Sequence, residues 1–337
     1  MQGAAGQLRR RAALCYFAIL SRQIEGTRSM RLDIAAQTDT GRRKKNNEDY
    51  YGVFDETMVE RQLFNEGALL CVADGLGGHA GGEIASKLAV SYVKEALKEP
   101  PRRGDESGGN GEANGPIPVL RESFRKANDS IYQTNVDLVR DKRPMGTTLL
   151  AALITPGKAY VLNVGDSRAY LVRKGQAVAQ TEDHSWVDEQ VKQGLMSQEE
   201  AERDDRRNLV TRSIGTQAQV EADSYVWDIQ PGDLLLLCTD GLINMVNETE
   251  IIAQLNQPST PAEIVNRLVE MANANGGKDN ITAALAHISP SLGRLYYLRW
   301  LRFWRRNKVH ICWLLACLLF GGAAFIAGNF LGLFVPQ

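Results

Sequence analysis

The stretch TLLAALITPGKAYVLNVGDSRAYLVRKGQAVAQT, Thr148 to Thr181, decides the fold. Its apolar runs fold back at Pro-Gly-Lys and again at Lys-Gly-Gln, both turn sequences, so successive hairpins are predicted. Adjacent hairpins imply antiparallel sheets rather than a doubly wound parallel one. Working outward, strands are predicted at MRLDIAAQTD from Met30, at NNEDYY, and at NLVTRSIG, DSYVWDI, DLLLLCTD and NITAALAHI. Helices are expected from about Ser185 to Glu202 and from Thr260 to Asn273. Another covers IASKLAVSYVKEAL with Ile84, Leu88, Tyr92 and Leu97 on its buried face, and a fourth buries Leu120, Phe124, Ala127 and Ile131. Between these last two, Pro100 to Pro118 is rich in glycine, proline and polar residues and reads as a flexible loop. The economical architecture is α+β, two packed antiparallel β-sheets with helices outside.

The 337 residues carry 39 basic and 40 acidic side chains, a formal net charge of −1, so the totals call for no nucleic acid partner. The 5 cysteines form no CxxC pair, and Cys71 and Cys238 lie inside apolar runs where a thiol packs as a small hydrophobe. That pattern suits a reducing compartment. Residues 1–29 read as a disordered lead or an over-extended start, and residues 30–290 as the folded domain. From Ile311 to Val335 there is no Asp, Glu, Lys or Arg, enough for a helix of roughly 37 Å. The basic, aromatic segment 291–310 precedes it, so a single-pass transmembrane helix with the folded domain on the cytoplasmic side is expected. An RNA-binding basic stretch and a long core helix are the competing readings.

Four apolar runs touch an aspartate: Asp74, Asp166, Asp240 and Asp279. Each alone reads as a turn, since Asp-Gly is a common hairpin pair. Together, carboxylates at strand ends can form the all-oxygen environment that hard divalent cations prefer. Glu48 and Asp49 open another candidate strand. Crowded carboxylates without cations would raise one another's pKa, so metal keeps them ionised most cheaply. The glycine-rich VADGLGGHAGGE lacks the GxxxxGK[ST] pattern of a nucleotide loop.

GRRKKNNEDYYG, VADGLGGHAGGEIAS, MGTTLLAAL, NVGDSRAYLVR, TEDHS, NLVTRSIGT, CTDGL and GGKDNIT occur in the order found in the metal-dependent serine/threonine phosphatases of the protein phosphatase 2C or PPM family, bacterial branch. The resemblance runs from about Leu32 to Ile288 and implies an αββα sandwich. It implies a two-metal centre of Mn²⁺ or Mg²⁺ on Asp74, the Gly75 carbonyl, Asp240 and Asp279, with Glu48 and Asp49 acting mostly through waters. Asp166 is implied as the ligand of a third, weaker ion. Two such cations lower the pKa of a bridging water, and the hydroxide attacks phosphorus in line, without a phosphoenzyme. His79 is a candidate general acid, set against a plain backbone-bonding role; His184 reads as structural. One departure stands out: where the family has a phosphate-gripping arginine, this chain has Lys44, which brings charge but no planar fork, with Arg42 and Arg43 as neighbours able to compensate. The charged segment from Trp186 to Arg207 corresponds to the family's flap and is expected as a solvated helix beside the site.

The resemblance implies phosphorylated proteins as partners, among them a serine/threonine kinase and its substrates. The alternative is a catalytically silent metal-binding module that docks phosphoproteins at the membrane, which Lys44 favours. A nucleotide-binding switch is disfavoured by the missing phosphate loop.

Overall fold

The computed structural model describes residues 30–55, 67–77, 80–96, 115–138 and 144–290. Expectations for 1–29, His79, most of the 100–118 loop, the segment 291–310 and the helix 311–335 fall outside these residues. Among the described residues no helix is long and apolar enough to cross a membrane.

Twelve strands and seven helices follow in order among the described residues: β1 (Met30–Asp39), β2 (Tyr50–Phe54), β3 (Ala68–Ala73), β4 (Gly75–Leu76), α1 (Ala80–Ala96), α2 (Pro116–Leu138), β5 (Gly146–Thr147), β6 (Leu149–Thr155), β7 (Lys158–Val164), β8 (Arg168–Arg173), β9 (Gln176–Gln180), α3 (Trp186–Lys192), α4 (Gln198–Arg203), β10 (Asp223–Asp228), β11 (Leu234–Cys238), α5 (Asp240–Ile243), α6 (Glu248–Leu255), α7 (Pro261–Ala274) and β12 (Ile281–Pro290). The hairpins β6–β7 and β8–β9 form where the turn sequences placed them, both antiparallel. Lys174 and Gly175 both take positive φ, 49° and 82°, as a two-residue turn matched to strand twist requires. Two five-stranded sheets result, ordered β1-β12-β11-β8-β9 and β10-β7-β6-β3-β2, with β4 and β5 forming a small third.

Side chains alternate between faces along a strand, and here both faces are buried. In β3, Ala68, Leu70 and Val72 pack with Leu171, Leu235, Leu237, Ala284 and Ala286 in the core between the sheets. Leu69, Cys71 and Ala73 point the other way, onto Ala85, Ala89 and Val93 of α1 and Phe124 and Ile131 of α2. On the far side, Leu236, Cys238, Ala283 and Leu285 meet Ile251, Ile264, Leu268 and Ala272 of α6 and α7. The layers are therefore helix, sheet, sheet, helix.

Four expectations need correction. Helix α1 begins at Ala80 and buries Ala85, Ala89 and Val93, whereas Ile84 is 48% exposed and Leu88 and Tyr92 only partly covered. Small residues face the sheet because they let the helix approach it closely, which ranking by bulk conceals. Helix α2 starts at Pro116, inside the expected loop, with proline in its favoured first turn. Asn208–Gly215 is no strand. Its backbone groups go to different partners: Thr211 donates to the His184 carbonyl, Ile214 exchanges bonds with Thr147, and Gly215 donates to Asn128 Oδ1. The flap segment is two short helices, α3 and α4, capped by Ser185 and Ser197, the second with a reciprocal Ser197–Glu200 capping box.

Candidate active site

Strand register gathers the acids at one end of the sandwich. Tyr50 pairs with Ala73, so Asp49 and Asp74 flank the same end of β2 and β3. Val72 pairs with Leu150, and Leu149 with Val164, which brings the Gly165-Asp166 turn alongside. In the other sheet Cys238 pairs with both Ala283 and Arg168, placing Asp240 and Asp279 at the corresponding ends of β11 and β12. The four strand-end aspartates of the sequence thus lie at the same end of the sandwich as Asp49.

Each acid is held by its neighbours. The Asp74 backbone N–H donates to Thr148 Oγ1 (2.8 Å), and its carbonyl accepts from Thr148 N and Thr147 Oγ1 (both 2.9 Å). Thr148 Oγ1 also bonds Ser167 Oγ at 2.7 Å, tying the Asp74 loop to the residue after Asp166. Asp49, 4% exposed, accepts on Oδ2 from Thr239 Oγ1 (2.8 Å) and Thr282 Oγ1 (2.6 Å). Asn280 Oδ1 accepts from Glu48 N (2.8 Å), while its Nδ2 donates to the carbonyls of Thr40 and Asn46 (both 2.9 Å). That side chain stitches the loop bearing Lys44 onto the loop bearing Asp279, where Lys44 Nζ lies 2.5 Å from Asp279 Oδ1. The backbone N–H groups of Arg42 and Arg43 both donate to Gly277 O, fixing the same junction.

The glycines of VADGLGGHAGGE, and Gly241 after Asp240, serve close approach. A Cβ on Gly75 would lie 2.4 Å from the Gly82 carbonyl carbon and oxygen and 2.6 Å from the Glu48 carbonyl oxygen. One on Gly82 would lie 2.9 Å from Glu48 Oε2. At Gly241 it would fall 1.9 Å from the Asn280 carbonyl oxygen. Gly241→Ala therefore has to push the Asp240 and Asp279 loops apart. A loss of about 1–3 kcal/mol is expected, read as a lower melting temperature, together with a higher Mn²⁺ requirement.

Burial and mutual repulsion dominate the electrostatics. Burial first, then the charges of Asp240 and Asp279, raise Asp49 to about 7 against the pull of its two threonine hydrogen bonds. Asp240 rises to about 6, chiefly by burial and the charge of Asp279. Asp74 and Asp166 are pushed well above the usual carboxylate range, by burial and then by neighbouring aspartates. The carboxyl groups of Asp74 and Asp240 lie within hydrogen-bonding reach of each other, which raises Asp74 and lowers Asp240.

Among the described residues no three acidic, cysteine or histidine side chains close on one point as a finished ligand set. The acids meet instead as Asp74 with Asp240 and as Asp279 with Lys44. The cluster nonetheless fits divalent cations. Asp49 Oδ1 and Asp240 Oδ1 are buried without a hydrogen-bond partner, and a buried carboxylate oxygen lacking a donor calls for a cation. The donors are all oxygen, which suits Mg²⁺ or Mn²⁺ over zinc.

Beside the cluster a cavity of about 330 Å³ is lined by Asp166, Asp183, Asp240, Asn244 and Glu248, with Asp188 and Arg207 from the flap. It reaches the centre from the Asp166 side. Asp183, which the sequence reading did not single out, receives Arg168 through Nε at 2.9 Å and Nη2 at 2.5 Å, so neither charge is left bare. His184 is buried and accepts from Gly165 N through Nδ1 at 3.1 Å, the structural role expected of it.

The Protein phosphatase 2C family matches residues 40–286. The chain belongs to that family. It is 37% identical over 249 residues to serine/threonine phosphatase stp of Listeria monocytogenes, covering 74% of this chain and 93% of that one. The structure of the Streptococcus agalactiae serine/threonine phosphatase superposes with a TM-score of 0.67 at 33% identity, covering 77% of this chain and all of that one, 100%. The catalytic domain of the phosphatase PstP, solved in complex with 2 manganese ions, gives a TM-score of 0.62 at 32% identity, covering 77% of this chain and 100% of that one. The sandwich of this protein phosphatase 2C member agrees with the architecture expected from its hairpins.

Proposed function

We propose that this chain hydrolyses phosphoserine and phosphothreonine on proteins, with two manganese or magnesium ions held by Asp74, the Gly75 carbonyl, Asp240 and Asp279. Asp49 and Glu48 border that centre, and Asp166, facing the cavity, is the ligand for a weaker third ion. The carrying observation is the set of mutually repelling acids at one sheet end, two of them with buried oxygens that no donor meets. When bound, the ions supply Lewis acidity that lowers the pKa of water and neutralises phosphate charge.

Among the described residues the threonines and cysteines beside the cluster offer no competing nucleophile. Thr239 and Thr282 spend their hydroxyls on Asp49. The Cys238 thiol is buried and pushed up to about 12, and burial pushes Cys71 higher still. A phosphoenzyme is therefore not expected, and thiol reagents should leave activity intact. Lys44 brings the positive charge that meets the substrate phosphate, and His79 remains the candidate proton donor to the leaving alcohol.

A bacterial serine/threonine kinase and its substrates are the proposed partners, by analogy of family alone. The domain spans 30–290, and Ile311–Val335, preceded by its basic aromatic segment, anchors it to the membrane with the domain on the cytoplasmic side. Lys44 in the arginine position keeps the silent docking module as the second reading. The full chain assayed with Mn²⁺ on para-nitrophenyl phosphate and a phosphothreonine peptide decides between them. Turnover that a chelator removes and Mn²⁺ restores is expected; a folded, Mn²⁺-loaded chain without turnover supports the silent module.

A further inference from the structure

The ion pair between Lys44 and Asp279 joins an internal cation to one of the carboxylates assigned to metal. Asp279 Oδ1 already takes the Lys44 ammonium at 2.5 Å and the Asn280 backbone N–H at 2.8 Å. An oxygen so occupied is a poorer donor to a second cation, and an ammonium and a divalent ion on adjacent lone pairs repel. Lys44 also feels Asp74 and Glu48: although burial alone would lower its pKa, the Asp279 hydrogen bond and the charges of Asp279, Asp74 and Glu48 raise it. The ammonium thus lies in the same field of carboxylates that would hold the ions. The surrounding loops fix it there through Asn280 and Gly277.

We propose that Lys44 and a divalent ion compete for Asp279, so that Lys44 sets the metal affinity of the centre. The ammonium displaced by the ion then becomes available to the substrate phosphate. This inference rests on the two-metal phosphatase reading and adds a coupling to it: metal favours phosphate binding because it frees Lys44, and by linkage phosphate favours metal by the same factor. A planar guanidinium in this place would serve phosphate bidentately; the single ammonium trades that fork for a role as an exchangeable counter-ion.

The test is calorimetric titration of MnCl₂ into the chelator-stripped full chain, comparing wild type with Lys44→Met, which keeps the apolar stem and removes the charge. Lys44→Met is expected to bind Mn²⁺ about two- to fivefold more tightly, the scale set by a half-exposed ion pair. Lys44→Arg, which keeps the charge, should show no such gain. Inorganic phosphate should tighten Mn²⁺ binding in the wild type and not in Lys44→Met. Unchanged or weaker Mn²⁺ binding by Lys44→Met overturns the competition, and phosphate coupling that persists in it overturns the exchange. Melting curves in chelator establish that the variants fold, and Lys44→Gln serves if Lys44→Met does not. Turnover of para-nitrophenyl phosphate at saturating Mn²⁺ is read in parallel. Competition without wild-type turnover sinks the phosphatase reading and leaves the competition standing, whereas no Mn²⁺ binding by any form overturns both.

Discussion

Asp74→Asn is expected to cut turnover of a phosphothreonine peptide by about a thousandfold or more, equivalent to roughly 4 kcal/mol of barrier. The same change should raise the melting temperature of the chelated protein. The two effects have one origin. Asp74 is crowded by Asp49, Asp240 and Asp166, and burial and those charges hold its pKa well above the ordinary range. An isosteric amide keeps the shape, can still donate to Asp240 and removes one charge from the cluster. A gain of about 0.5–2 kcal/mol follows, the usual trade of stability against function at a site built for a missing charge. The backbone bonds to Thr147 and Thr148 do not involve the altered group, so the loop should keep its place. Kinetics and a melting curve in chelator check both halves. An Asp74→Asn protein that is less stable yet retains near-normal turnover would reduce the cluster to a structural network.

The strand ends were legible because the turns were. Pro156-Gly157 and Lys174-Gly175 have few alternatives to hairpin turns, and once the hairpins are antiparallel, register alone carries Asp74, Asp166, Asp240 and Asp279 to one end. Which face of each strand looks inward was not legible, because both faces of β3, β6 and β11 are covered and the apolar runs show no alternation. The α1 face was misread for a related reason: at Ala85 and Ala89 what matters is how near the helix can come, and smallness carries no periodic signal of its own.

Within the site, the acids were visible and their supports were not. Thr239 and Thr282 read as ordinary strand-end residues until Asp49 is placed between them. Asn280 reads as part of a turn, yet its amide holds the Lys44 loop in position. Asp183 escaped notice inside TEDHS because its partner Arg168 lies at the start of β8, fifteen residues before it in the chain. Such contacts join residues far apart in the chain, and spacing cannot report them. Lys44 was noticed as an oddity of sequence; that it pairs with Asp279 is a fact of three dimensions.

Stability of the chelated protein should fall between about pH 5 and pH 8, and Mn²⁺ should cancel or reverse that fall. An aspartate titrates near 3.8 in the unfolded chain, whereas Asp49 and Asp240 titrate near 7 and 6 in the folded one. Between those values the folded state holds more protons than the unfolded state, so raising the pH strips protons from the native cluster alone and costs stability. Below pH 3.8 both states are protonated and the cost vanishes; above 7 it is complete. For a group shifted as far as Asp49 the bound is roughly 4 kcal/mol, shared among acids that titrate together. Opposing contributions are placed differently. Asp204, held at about 2 by Arg206, and Asp223, held down by His184 and Arg212 against its burial, stabilise the fold above the ordinary aspartate range and finish titrating by about pH 5. His184, lowered by burial, gains stability as pH rises towards 6.5, but it is one group against a cluster. Mn²⁺ takes the place of the protons, so its stabilisation should be larger at pH 8 than at pH 5. Calorimetric melting at both pH values, with chelator and with Mn²⁺, reads the sign directly. A chelated protein that grows more stable from pH 5 to pH 8, with no added gain from Mn²⁺ at the higher value, would mean that these acids are not a cation site.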